Sequence, residues 1–274
     1  MRLAFATEAA PGRPNEDFAG ATPNAAVLLD GVGTPVGSDA GCSHGVPWFV
    51  QALGSSLLAG MSRDEDTSLT EVLADGIKAV ASLHDSTCDL THPGSPSATV
   101  VMLRRTASAV EWLVLADSVL LLDVVGTDEP MVICDEREAL VGEPYRKAMD
   151  ALAAGTPEHV AAHRAYVETL RDHRNRDGGF WVAAVDPLAA DQALTGSVPA
   201  DTVKAAALLS DGASRLVDRF ALASWREALG LLALTGPDEL IKLVREAETS
   251  DLDGARWPRG KAFDDATAMF WKFF

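Results

Sequence analysis

Positive charge is scarce in this chain: 23 Lys and Arg stand against 40 Asp and Glu, a formal net charge of -17 over 274 residues. A surface this negative repels nucleic acid and anionic membrane, and no basic tract relieves it locally, so neither is expected as a partner. Cysteine is scarce too. Cys42, Cys88 and Cys134 are odd in number and widely spaced. They form neither a zinc pattern nor a disulfide framework, and the expectation is three reduced, buried thiols. Long apolar runs are missing: charge or glycine interrupts each one well before it could cross a bilayer. The first residues reach Glu8 without the apolar stretch of a signal peptide, so a cytoplasmic location is expected.

What remains is ordinary for a folded protein, with 47% hydrophobic and 23% charged residues. That is enough for one substantial core, and no linker or internal repeat divides the chain, so residues 1–274 are expected to form one domain. The informative feature is where the carboxylates fall. Glu16-Asp17 lies near the start, Asp30-Gly31 follows Val27-Leu28-Leu29, and Asp117 follows Leu113-Val114-Leu115-Ala116. Asp211-Gly212 follows Ala207-Leu208-Leu209-Ser210, and Asp264-Asp265 precedes an aromatic tail. Acids at the rim of a core are costly unless positive charge offsets them. No comparable group of Lys or Arg accompanies these positions, so bound hard cations, which prefer oxygen ligands, are the simplest source.

Hydrophobic periodicity predicts short strands at residues 3–7 and 25–29, then a polar Gly-rich loop over 34–45. Helices are expected from Pro47 and over 68–84, the second with Leu69, Val72, Leu73, Ile77 and Val80 on one stripe. Residues 98–104, 109–116 and 119–125 read as an antiparallel meander, with 131–134 as a further strand. Residues 143–174 read as helical with a break at Gly155-Thr156-Pro157, where Thr156 caps the second piece. A turn and strand are expected over 178–185, loop or short helix over 186–200, and a strand ending near Ser210. Residues 214–235 read as one helix and 237–249 as another, before a final strand from Ala266. Near-neighbour antiparallel pairing argues against a doubly wound parallel sheet.

Six segments in this order, Asn15-Glu16-Asp17, Asp30-Gly31-Val32-Gly33, Pro96-Ser97-Ala98-Thr99, Ala116-Asp117-Ser118, Ser210-Asp211-Gly212 and Asp264-Asp265-Ala266-Thr267, resemble the motifs of the metal-dependent protein phosphatases (the PP2C, or PPM, family). The likeness runs from about residue 5 to the C-terminus and is to a compact bacterial-type member. It implies an α+β fold, a four-layer α-β-β-α sandwich with two central antiparallel sheets flanked by helix pairs. It implies two Mg²⁺ or Mn²⁺ ions that activate a water or hydroxide for direct attack on phosphorus, with a weaker third site. Asp30 then resembles the bridging ligand, Glu16 and the Gly31 carbonyl ligands of one ion, and Asp211 and Asp264 ligands of the other. Asp17 resembles a residue that orients water at the metals, and Asp117 the ligand of the third site. Asp265 need not touch metal.

The chain departs from the pattern in three places. Val32 stands where the family often has a His proposed as general acid. Gly12 stands where a phosphate-binding Arg is usual, so that Arg13, one residue later, is the candidate substrate contact. Val119 replaces the Arg of the usual Gly-Asp-Ser-Arg. His44, in Gly41-Cys42-Ser43-His44-Gly45, is a candidate proton donor, with Cys42 a candidate oxidation sensor; the alternative for His44 is a helix cap or solvent. His159, His163 and His173 are expected to be solvated, and His84 and His92 look no better as ligands. The resemblance implies a serine/threonine protein phosphatase acting on phosphorylated protein. Two alternatives stay open: hydrolysis of a small phosphoester metabolite, and a pseudophosphatase that binds a partner or phosphopeptide. The oligomeric state is open, with a monomer favoured.

Overall fold

The structure, a computed structural model, describes residues 2–33, 41–153 and 155–274. Most of the expected loop at 34–45 (residues 34–40) therefore lies outside the described residues. Ten strands form two five-stranded antiparallel sheets. The first holds, in spatial order, β1 (Arg2–Glu8), β10 (Ala266–Lys272), β9 (Val203–Leu209), β6 (Val119–Val124) and β7 (Met131–Ile133). The second runs β2 (Asp17–Ala21), β3 (Ala25–Val32), β4 (Ser97–Arg105), β5 (Ala109–Leu115) and β8 (Leu194–Pro199).

The central strands are apolar on both faces because both faces are covered. In β3, Ala25, Val27 and Leu29 point towards helices α1 (Gly45–Arg63) and α2 (Leu69–His84), whereas Ala26 and Leu28 face the other sheet. In β9, Ala205, Ala207 and Leu209 pack on α5 (Asp211–Asp218), α6 (Trp225–Leu234) and α7 (Pro237–Ser250), whereas Ala206 and Leu208 face inward. The two-residue period of a strand thus divides each run between two cores. Leu28, Leu103, Leu120, Leu208 and Trp271 fill the layer between the sheets, all at most 1% exposed. Each buried leucine there contributes about 1.5–3 kcal/mol. The expected α-β-β-α sandwich with two central antiparallel sheets is the fold observed, with three helices rather than a pair on one face.

Local signals hold at several ends. Ser68 and Glu71 form a reciprocal capping box at the start of α2. The Thr156 hydroxyl accepts from the His159 N–H at 3.2 Å, opening α4 (Pro157–His173) after α3 (Arg137–Asp150). Other expectations need correction. The helix read over 214–235 is two helices, α5 and α6, because the chain turns between them with Ala221 at φ 51°. The strand read over 178–185 is reduced to isolated bridges, Ala98 with Ala183 and Arg174 with Phe180. Residues 186–200 contain a 3₁₀ turn, Pro187–Gln192, and then a true edge strand, β8. None of the three cysteines is fully buried. His159, expected in solvent, is 5% exposed. Among the described residues no helix is long and apolar enough to cross a membrane.

Candidate metal centre

Strand pairing brings the acidic motifs to one end of the two sheets. Asp17 opens β2 and lies directly across from Asp30 near the end of β3. Asp30 lies across from Thr99 on β4, and Gly31 across from Ala98. In the other sheet β9 lies between β6 and β10, with Leu209 across from both Val119 and Ala268. Asp117, Asp211 and Asp264, just beyond these strand ends, are thereby carried to the same rim. The backbone N–H of Asp211 donates to Asp30 Oδ2 at 3.3 Å, which joins the sheets at the site.

Residues with no metal role in the sequence reading hold this arrangement. Asp265 accepts from the N–H groups of Ala10 and Glu16, both at 2.7 Å, and so fixes the loop that carries Glu16. The Asp30 N–H donates to Thr99 Oγ1 at 3.3 Å, and that hydroxyl bonds Ser118 Oγ at 2.6 Å. Ser210 Oγ accepts from the Thr267 N–H at 2.9 Å. Gly31 is required by space: a Cβ there would lie 2.3 Å from the Glu16 carbonyl oxygen and 2.3 Å from Val46 Cγ1. This tight approach keeps Glu16 beside Asp30 and Gly31, which the sequence placed in a turn but which extend β3.

The electrostatics are those of an under-neutralised acidic cleft. Burial, then the charges of Asp17, Asp211, Asp264 and Asp117, raises Asp30 well above the usual carboxylate range. Asp17 is pushed to about 7, mainly by burial, with Asp211 and Asp265 adding to the rise. Both Asp17 oxygens are buried, and the nearby Thr267 and Ser210 hydroxyls lower its pKa without offsetting that burial. A carboxylate so placed calls for a proton or a cation. Asp117 rises to about 8 through burial and the neighbouring Glu138 and Asp211 charges, opposed by Arg146. Arg146, on α3, thus brings positive charge to the region where Val119 replaces the expected Arg, and it bonds Tyr166 at 2.8 Å. Glu16, Asp17, Asp30 and Asp211 supply carboxylate oxygens and Gly31 a carbonyl, the donor type that hard divalent cations prefer.

Asp264 differs. Lys261 Nζ lies 2.9 Å from its Oδ1 and Arg215 Nη2 lies 2.8 Å from its Oδ2. Burial opposes ionisation of Asp264, but these two cations overcome it and hold its pKa below the usual value. The expectation that no Lys or Arg accompanies the acids is therefore corrected at this position. Arg215 also bonds Glu248 at 2.8 Å, a residue with no exposed surface that Arg245 contacts at 2.6 Å.

Arg13 is exposed, and its charge partly offsets the burial that raises Glu16. A second basic feature was missed by sequence reasoning. Arg174, after α4, donates to Ser97 Oγ at 3.1 Å, and Ser97 lies across from Val32. Among the described residues, the buried Nε of Arg174 and the buried Nε and Nη2 of nearby Arg171 have no hydrogen-bond partner. Burial and then the Arg171 charge lower Arg174 to about 10. His44 makes its polar contacts elsewhere: its Nδ1 is 3.3 Å from Cys88 Sγ and its ring packs on Trp48.

No family model matches the sequence, and no curated protein matches it. Solved structures do. A bacterial serine phosphatase superposes with a TM-score of 0.61 at 16% identity, covering 100% of this chain and 98% of that one. Serine/threonine phosphatase Stp1 from Staphylococcus aureus gives 0.59 at 15% identity, covering 99% and 94%. The catalytic domain of the serine/threonine protein phosphatase PstP, solved with two manganese ions, gives 0.55 at 17% identity, covering 99% and 97%. The fold of this chain is that of the PP2C-type phosphatases.

Proposed function

We propose that the chain is a Mg²⁺- or Mn²⁺-dependent phosphomonoester hydrolase, acting on phosphoserine or phosphothreonine in proteins. The observation that carries this reading is the convergence of Glu16, Asp17, Asp30, Asp117 and Asp211 at one rim, where burial and mutual repulsion raise Asp17, Asp30 and Asp117 above the usual carboxylate range. Asp30 and Asp211 would each hold a divalent cation, with Glu16 and the Gly31 carbonyl completing one site and Asp264 the other. When bound, two such ions supply Lewis acidity and a nucleophile at neutral pH for in-line displacement at phosphorus. Asp17, across the strand pair from Asp30, would orient the attacking water by accepting a hydrogen bond from it. Arg174, bonded to Ser97 across from Val32, and the neighbouring Arg171 would supply guanidinium groups suited to phosphoryl oxygens, with Arg13 approaching from the Glu16 side. The likeness to serine/threonine phosphatases supports the protein substrate class.

The engagement of Asp264 by Lys261 and Arg215 favours a second reading, a catalytically weak module that binds phosphopeptide. Turnover of p-nitrophenyl phosphate, measured with Mn²⁺ and with chelator, separates the two. The enzyme reading expects metal-dependent turnover that Asp30→Asn lowers more than about 100-fold, as loss of a principal charge-stabilising group does. No turnover at saturating Mn²⁺ would favour the binding module, and normal turnover by Asp30→Asn would refute the site. A phosphopeptide panel beside small phosphoesters then tests the substrate class.

A further inference from the structure

Away from the acidic rim, the first two helices bring four soft donors together. Cys42 and His44 precede and begin α1; His84 ends α2, and Cys88 lies in the turn after it. Cys42 Sγ is 3.5 Å from His84 Nδ1 and 3.7 Å from His44 Nδ1. Cys88 Sγ is 3.5 Å from Cys42 Sγ and 3.3 Å from His44 Nδ1. All four donor atoms lie within 4.8 Å of one another. This clustering bears against the expectation that the cysteines form no zinc pattern and that His84 is no ligand.

We propose that Cys42, His44, His84 and Cys88 form a structural zinc site, separate from the acidic centre. Zinc–sulfur bonds of about 2.3 Å and zinc–nitrogen bonds of about 2.0–2.1 Å in a tetrahedron put sulfurs about 3.8 Å apart and sulfur about 3.5 Å from nitrogen. The observed separations match both within a few tenths of an ångström. A disulfide would need sulfurs about 2.0 Å apart, and 3.5 Å is too long for one. Two thiolates balance the charge of one Zn²⁺, and four protein ligands leave no open position, the mark of a structural rather than a catalytic ion.

The surroundings fit that role. His84 is 2% exposed. Trp48 packs against both imidazoles, with ring centroids 4.4 Å from His44 and 4.9 Å from His84, which limits their rotation. Ser43 and Thr87 hydroxyls lie 3.9 and 3.7 Å from Cys88 Sγ, where they can donate to a thiolate as outer-shell partners commonly do. The ion would tie the start of α1 to the end of α2.

Full-length protein purified without chelator from zinc-supplemented medium should contain about one zinc per chain by elemental analysis. Cobalt exchanged into that protein should give visible d–d bands and near-ultraviolet thiolate-to-cobalt absorption of a tetrahedral sulfur–nitrogen site. Both signals should vanish in Cys42→Ser and Cys88→Ser and persist in Cys134→Ser and Asp30→Asn; the last retains the signature whether or not the acidic centre binds metal. The cobalt spectrum is read on wild-type protein, so poor folding of a variant does not remove the test. Wild-type protein that takes up neither ion, that shows only octahedral cobalt, or that yields a Cys42–Cys88 disulfide as isolated overturns the proposal.

Discussion

Asp17 sits where burial and neighbouring acids oppose its charge, and Asp17→Asn turns that into a measurable swing. In the unfolded chain its carboxyl ionises near 3.8, whereas in the metal-free fold it does so near 7. Between those values the folded state binds the extra proton, so stability falls as pH rises through the window. This is the reverse of a carboxylate held low by a cation. Below about pH 4 both states are protonated and the penalty is absent; above about 7 it is complete. At about 1.4 kcal/mol per tenfold change in proton affinity, the gap is worth up to about 4 kcal/mol. Asparagine brings its own cost of a buried amide, about 1–3 kcal/mol, but the amide does not titrate. The quantity to read is therefore the change between pH values. In chelator, urea unfolding should show Asp17→Asn gaining up to about 4 kcal/mol relative to wild type from about pH 4 to about pH 8. Saturating Mn²⁺ should erase or reverse that gain, because an ion that binds only the native state stabilises wild type by mass action. A difference between the two proteins that stays constant across the range in chelator would refute the reasoning.

Gly31→Ala should cost most of the metal affinity, since its Cβ would meet the Glu16 carbonyl oxygen at 2.3 Å and push Glu16 away; isothermal titration with Mn²⁺ checks this. Lys261→Met should strengthen Mn²⁺ binding about two- to fivefold, the scale of a half-exposed ion pair, because Lys261 Nζ competes for Asp264 Oδ1; an unchanged or weaker affinity would count against that competition. Arg174→Ala should raise KM for a phosphoester substrate, with Arg174→Lys recovering part of the loss in steady-state kinetics, if its unpaired N–H meets phosphate. Ala116→Gly should shift stability by less than about 1 kcal/mol in denaturant unfolding, because relief of the left-handed φ of 69° is offset by the lost burial of its methyl and the extra freedom of glycine in the unfolded chain.

The sandwich could be read from the sequence because its inner strands are short, apolar and close in order, and because each metal-type acid sits where such a run stops. Strand β8 escaped notice: Leu194-Thr-Gly-Ser-Val-Pro carries Gly and Pro, which only an edge strand tolerates. The break at Ala221 carries no glycine or proline to announce it. The partners of Asp264 did leave a trace, since Lys261 precedes it by three residues and Arg215 follows Asp211 by four, one helical turn on. Arg174 left none, because its meeting with Ser97 depends on how α4 returns to the sheets. The Cys/His cluster is invisible to a search for closely spaced ligands. Its halves, Cys42-Ser43-His44 and His84 to Cys88, are separated by two whole helices and meet only when those helices pack antiparallel.

Asp17 and Asp30 ride on one sheet, while Asp211 and Asp264 hang from the other, and the interlayer apolar contacts of Leu28, Leu208 and Trp271 set the spacing between them. Any cation gripped from both sides resists shear of one sheet across the other. Its affinity therefore reports on the packing between the sheets, so that trimming Trp271, in that layer, would loosen the ion's seat by letting the two slabs drift out of alignment.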